Sequence, residues 1–146
     1  SGAIAVFDPE TQFVECFDMP TFKIKGKSQI DLYGLARILD SFHLRIKLAV
    51  VEEVGARPGQ GVSSMFKFGF NAGAAQMAVA ASFIPMRTPT PQAWKKIVGL
   101  PHGATKEDSR KLAARILPKH SHLWARVKDD GRAEATLLAI FGSKEQ

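Results

Sequence analysis

A chain of 146 residues is long enough for one domain that buries roughly two-thirds of the surface its unfolded form would expose. Twenty Lys and Arg against fourteen Asp and Glu leave a formal charge of +6, which favours a polyanionic partner, nucleic acid first. The lone cysteine, Cys16, excludes an internal disulfide and a thiolate metal cluster, and neither a cleavable leader nor an uncharged apolar run of membrane-spanning length is evident, so a cytoplasmic protein without a membrane partner is expected.

Ala3 to Phe7 reads as a short apolar strand that ends at Asp8 and Pro9, with Gln12 to Asp18 as its hairpin partner. Phe22 to Lys25 alternates apolar and basic residues, so the opening is expected to be a meander of up to three strands. Asp31 is placed to cap a helix carrying Leu32, Leu35, Ile38, Leu39 and Phe42 at helical spacing. Leu48 to Val51 is apolar on both faces, as in a central strand covered on each side, and it delivers Glu52 and Glu53 where the buried segment runs out. That is where open α/β folds place their sites.

The loop from Gly55 to Gly61, GARPGQG, lacks the Gly-Lys-Ser/Thr ending of a phosphate-binding loop, so no nucleotide cofactor is expected. Its Arg57 and Gln60 are candidates for contact with a nucleic-acid backbone. A helix from about Val62 to Phe83 follows. Gly69 and Gly73 lie one turn apart on it, leaving room for close approach by a neighbour within the chain, slightly preferred, or by a second copy. Of Phe66, Phe68 and Phe70, two are expected in the core; Phe66 and Phe68 are named as residues that could stack on or wedge between bases.

Pro85, Pro89 and Pro91 break this helix, with a strand expected at Met86 to Thr88 and a short helix from Pro91 to Val98 bearing Trp94, Lys95 and Lys96. Trp94 is expected to be a packing anchor, and Lys96 a contact for DNA. Thr105 with Asp108 resembles a capping box opening a helix whose Leu112, Ala113, Ile116 and Leu117 face inward, and Pro118 stops it. His120 and His122 alternate in a polar loop and are read as solvated imidazoles.

The last helix begins near Asp130. Asp130 and Glu134 are four residues apart, about 6 Å along the axis and roughly 40° around it, so they share a face. Acids in a first turn also suit the helix dipole without any metal. If this helix packs beside the central strand, Glu52 could join Asp130 and Glu134 around one or two hard divalent cations, with Mg2+ the expected cofactor and Mn2+ a substitute. Asp129 competes with Asp130, because a one-residue shift of the helix start exchanges them.

The runs VVEEVGARPGQGVSSMFKFGFNAG and DDGRAEATLLAIFG, with PQAWKKIVGL between them, resemble the RuvC-like Holliday-junction resolvases, especially their phage-type branch. The likeness extends over nearly all of the chain. It implies an α/β ribonuclease H-like fold, a mixed sheet flanked by helices in a single domain spanning residues 1–146. It further implies a homodimer that makes paired Mg2+-dependent incisions in opposing strands of a four-way DNA junction. On that pattern Glu52, Asp130 and Glu134 resemble three of four metal-binding carboxylates, and Lys95 and Lys106 match two lysines used near the scissile phosphate. The family opens with a further strand ending in Asp, whereas this chain begins at Ser1, and Asp8 matches a turn position instead. Truncation is the expected reason. The alternative function is therefore a junction-binding protein impaired in catalysis because it lacks the first catalytic Asp.

Overall fold

The computed structural model describes residues 2–56 and 58–145, which hold both strands and helices, as in a mixed α/β protein. The elements are β1 (Ala3–Asp8), β2 (Phe13–Asp18), β3 (Thr21–Ile24), β4 (Lys27–Ile30), α1 (Leu32–Phe42), β5 (Ala49–Val50), α2 (Val62–Ala81), β6 (Met86–Arg87), α3 (Pro91–Val98), α4 (Lys106–Ile116) and α5 (Asp130–Lys144). Two 3₁₀ segments, Pro118–Trp124 and Val127–Asp129, link α4 to α5. The internal contacts divide into two units, one made from the two ends of the chain up to Met19 and from Pro91, the other from Pro20 to Thr90.

In the first unit β1 and β2 form the expected antiparallel hairpin, in register from Ala3 opposite Asp18 to Asp8 opposite Phe13. Asp8 closes the turn, its carboxylate accepting from the Glu10 N–H at 2.9 Å and the Thr11 hydroxyl at 2.7 Å. Helix α5 packs against this hairpin and against α3 and α4. Ala133, Leu137, Ile140 and Phe141 of α5 are buried, as are Val14 of β2, Trp94 and Val98 of α3, and Leu112 and Ala113 of α4. Arg132 fastens α5 to the end of β2 with a two-pronged contact to Asp18, Nε to Oδ1 at 2.7 Å and Nη2 to Oδ2 at 2.8 Å. Cys16 is half-buried with its Sγ 3.3 Å from Thr136 Oγ1, and burial pushes its thiol above the ordinary value. It is a packing residue.

In the second unit β3 is found where alternation placed it, but it does not extend the opening hairpin. It pairs with β4, so the strands make two separate hairpins rather than a three-stranded meander. The connection is the two residues Lys25 and Gly26, both left-handed with φ of 47° and 75°, which matches the twist of a tight hairpin. Asp31 caps α1 as expected, accepting from the Gly34 N–H at 2.9 Å. A Cβ on Gly34 would lie 2.9 Å from Pro20 Cβ, so the chain passes there only because the position is glycine.

Strand β5 is shorter and less covered than its apolar run suggests. Only Ala49 and Val50 form the strand, both half-buried, and among the described residues β5 pairs with β6 alone. The parallel pairing continues in hydrogen bonds from Val51 N to Arg87 O and Glu53 N to Pro89 O, at 3.0 and 2.9 Å. The described residues thus hold three two-stranded sheets, antiparallel, antiparallel and parallel. Helix α2 connects β5 to β6 and packs on α1, burying Val79 with Leu35. Just past its cap residue Ser82, Phe83 takes φ 54°, a left-handed position usually given to glycine. No helix of the described residues is long and apolar enough to cross a membrane.

Candidate functional site

Three helices of the first unit bring two carboxylates and two ammonium groups together. Asp130 opens α5 and is buried, and its Oδ2 lies 2.5 Å from Nζ of Lys106. The Lys106 hydrogen bond is the main reason the Asp130 carboxyl sits below the usual carboxylate range, with a further bond to Oδ1 from the Gly131 N–H. The same contact raises the Lys106 ammonium. One turn along α5, Glu134 Oε1 is 3.6 Å from Nζ of Lys95, each side chain about a third exposed.

Each lysine is placed by its own helix. Lys106 is the first residue of α4, where Thr105 and Asp108 exchange hydrogen bonds, Thr105 N–H to Asp108 Oδ2 at 2.8 Å and Asp108 N–H to Thr105 Oγ1 at 3.2 Å. Lys95 follows Trp94, whose buried indole seats α3, and the Lys95 ammonium lies 5.4 Å from the centre of that ring. Trp94 is therefore the packing anchor that was expected.

Asp129 is occupied otherwise. Arg126 donates from Nε to Oδ2 and from Nη2 to Oδ1, both at 2.9 Å, and its backbone N–H reaches Oδ2 at 3.1 Å. With both oxygens held, Asp129 terminates a 3₁₀ turn, and Asp130 is the residue that faces Lys106. The guanidinium lowers the Asp129 carboxyl. A depressed folded-state pKa stabilises fully above the unfolded value of about 3.9 and is lost as pH falls through the lower folded value. Asp129→Asn should therefore lower the urea midpoint at pH 7, and the difference from the parent chain should shrink as pH falls below the unfolded value of about 3.9. An undiminished difference at pH 2 would show that the ion pair is not its source.

Most of the other predicted residues lie in the second unit. Glu52 follows β5 and is half-buried, while Glu53 is exposed. Arg57 lies outside the described residues. Gln60 is exposed and, with Val54, Met65 and Phe68, lines a cavity of about 110 Å³. The expectation that two of three phenylalanines are core fails: Phe66, Phe68 and Phe70 are 77%, 48% and 50% exposed, because this stretch of α2 has little packed against it. The close intrachain neighbour expected at Gly69 and Gly73 is also missing, since a Cβ at either would meet nothing within 4 Å. Gly73 instead lines an open apolar groove of about 490 Å³ between α1 and α2. In the first unit, Lys96 is exposed on α3, and His120 meets the edge of Phe13 with ring centres 5.6 Å apart. The reading of the sequence missed the arginine pairs Arg126–Asp129 and Arg132–Asp18. A base followed three residues later by an acid was the available signal for the first pair, and no local spacing marks the second.

Asp130 and Glu134 are oxygen donors suited to a hard cation, and Lys95 and Lys106 supply positive charge beside them. Among the described residues, no three His, Cys, Asp or Glu side chains gather into a metal-binding group. Two carboxylates remain compatible with Mg2+, which is often held by one or two carboxylates together with substrate phosphates.

No family model matches the chain, and no curated protein matches it. Among solved structures it is similar to the Thermus thermophilus RuvC structure, with a TM-score of 0.53 and 19% sequence identity over 98% of this chain and 96% of that one. The likeness is one of fold.

Proposed function

We propose that this chain is a structure-selective endonuclease with a ribonuclease H-like fold, related to the phage-type branch of the RuvC-like resolvases. It makes paired Mg2+-dependent incisions in opposing strands of a four-way DNA junction and acts as a homodimer. The observation that carries this reading is the double pairing on α5, Asp130 with Lys106 and Glu134 with Lys95, on a fold similar to RuvC.

In this proposal Asp130 and Glu134 would hold the metal together with substrate phosphates. Bound there, Mg2+ would activate water and stabilise the leaving oxygen of a phosphodiester. The chain's own residues do the rest. The Lys106 ammonium holds the Asp130 carboxyl below the ordinary carboxylate range, and an entering cation would compete with that ammonium for Oδ2. Lys106 and Lys95 are paired to carboxylates without DNA, and a phosphate entering between them competes for those ammonium groups. They then offset charge that grows on the phosphate oxygens in the transition state. Lys96, Arg57 and Gln60 contact the DNA backbone, and the exposed Phe66 and Phe68 stack on bases at the branch point.

The test is incubation of the chain with a four-way junction labelled on each strand in turn, in Mg2+ or Mn2+, beside a linear duplex of the same sequence. Symmetric nicks in two opposing strands of the junction, with the duplex uncut, are expected. An intact junction in both metals would remove the nuclease assignment, and salt-sensitive junction binding without nicks would establish the alternative, a non-catalytic junction-binding protein.

A further inference from the structure

Three cations elsewhere on the molecule have no role in the site just described. Lys23, Lys25 and Lys27 lie on the β3–β4 hairpin, where all residues of both strands except Ile30 are exposed. Between Met19 and Ile30 there is no acid. Among the described residues none of these three lysines pairs with a carboxylate, whereas Lys95, Lys106, Lys111, Arg126 and Arg132 all do. An unneutralised run of this kind on a small element leaves a local positive field.

The hairpin also has an apolar face. Side chains alternate along a strand, so Phe22 and Ile24 point to the same side, and each is 45% exposed. Lys27 is opposite Ile24 in the register, Gln29 opposite Phe22, and Lys25 is in the turn. An apolar pair is thus edged by one ammonium across the ladder and another at the tip. A free two-stranded hairpin is marginal in water, but this one is fixed at its base. Ile30 is buried and Asp31 N–H donates to Pro20 O at 2.8 Å, while farther along the ladder Lys67 Nζ donates to the Ser28 carbonyl at 2.5 Å. Lys67 stands between Phe66 and Phe68, so one side chain from the part of α2 already proposed to meet DNA reaches the hairpin.

We infer that the β3–β4 hairpin is a second DNA-contacting element, with Lys23, Lys25 and Lys27 on phosphates and Phe22 and Ile24 against exposed bases or sugars. The partner is nucleic acid, and the inference rests on the proposed junction-cutting function for the form of that nucleic acid, a branched duplex. Lysine clusters release counterions when they neutralise phosphates, and apolar side chains can lodge where base stacking is already interrupted.

The experiment uses the full chain, without divalent metal, and measures affinity for a four-way junction over a range of salt. The variant Lys23→Gln/Lys25→Gln/Lys27→Gln should bind roughly tenfold or more weakly at low salt, with a log–log salt slope shallower by about 2 to 3, since each phosphate contact contributes about 0.9. Phe22→Ser/Ile24→Ser should weaken binding while leaving the slope unchanged. Both sets of positions are exposed, and an unchanged melting temperature identifies variants that remain folded. If the parent chain binds and nicks the junction, yet both variants match it in affinity and slope, the hairpin inference is overturned while the nuclease reading stands. If the parent chain binds the junction but cuts nothing, and the lysine variant loses the predicted slope, the hairpin stands while the nuclease reading falls. If the parent chain binds no DNA but binds phosphatidylserine vesicles through these lysines, the hairpin is a membrane contact and the inference is overturned.

Discussion

Replacing Asp130 by Asn or Glu134 by Gln should reduce junction cleavage by about 10² to 10⁴-fold, while junction binding in the absence of metal stays within a few fold of the parent chain. The size follows from what the carboxylates are proposed to do. Removing a ligand to a Lewis-acidic cation forfeits several kcal/mol of transition-state stabilisation, and each 1.36 kcal/mol is a factor of about ten in rate. The binding prediction follows from charge, because neutralising an acid beside Lys106 or Lys95 frees an ammonium for phosphate. Measured together, cleavage and binding separate a catalytic role from a structural one. A variant that loses both in proportion would indicate a damaged fold, and full cleavage by both variants would end the carboxylate mechanism.

A second large effect is expected from a residue that touches no substrate. Leu137 is fully buried on α5, and Leu137→Ala should cost about 2 to 5 kcal/mol of stability, through lost burial and the cavity left behind. The melting temperature should fall by roughly 4 to 20 °C, at about 2 to 4 °C for each kcal/mol in a chain of this size. Leu138, half-buried on the next position, should cost less when truncated. Equal losses at the two positions would mean that α5 is not seated on the side the structure gives it. Because Asp130 and Glu134 share this helix, cleavage by Leu137→Ala should fail at a lower temperature than that of the parent chain.

Much of the first unit was legible in its residues. Asp8 and Pro9 marked the hairpin turn, Thr105 and Asp108 marked the start of α4, and the start of α5 was placed near Asp130. Strand β4 was missed because Lys-Ser-Gln-Ile holds a single apolar residue, and the signal available was Lys25-Gly26, a pair able to take two left-handed residues in succession. Hydrophobicity misled at β5 and in the phenylalanine run, because a residue's dislike of water does not say whether a neighbour exists to cover it. For the site, i to i+4 spacing was enough to pair Asp130 with Glu134. The lysines opposite them belong to other helices, and their role was suggested by family resemblance alone. The resemblance also named Glu52, which local spacing could not connect to α5.

The reciprocal bonds between Thr105 and Asp108 have an outcome beyond helix stability. A positive side chain at the first residue of a helix opposes the local dipole, so Lys106 holds its place through the rigid turn beneath it and the carboxylate ahead of it. Sequence drift at 105 or 108 is consequently felt twice, as fraying of α4 and as wandering of an ammonium group proposed to meet phosphate. Tolerance to substitution in this short stretch should follow the demands of chemistry more than those of folding.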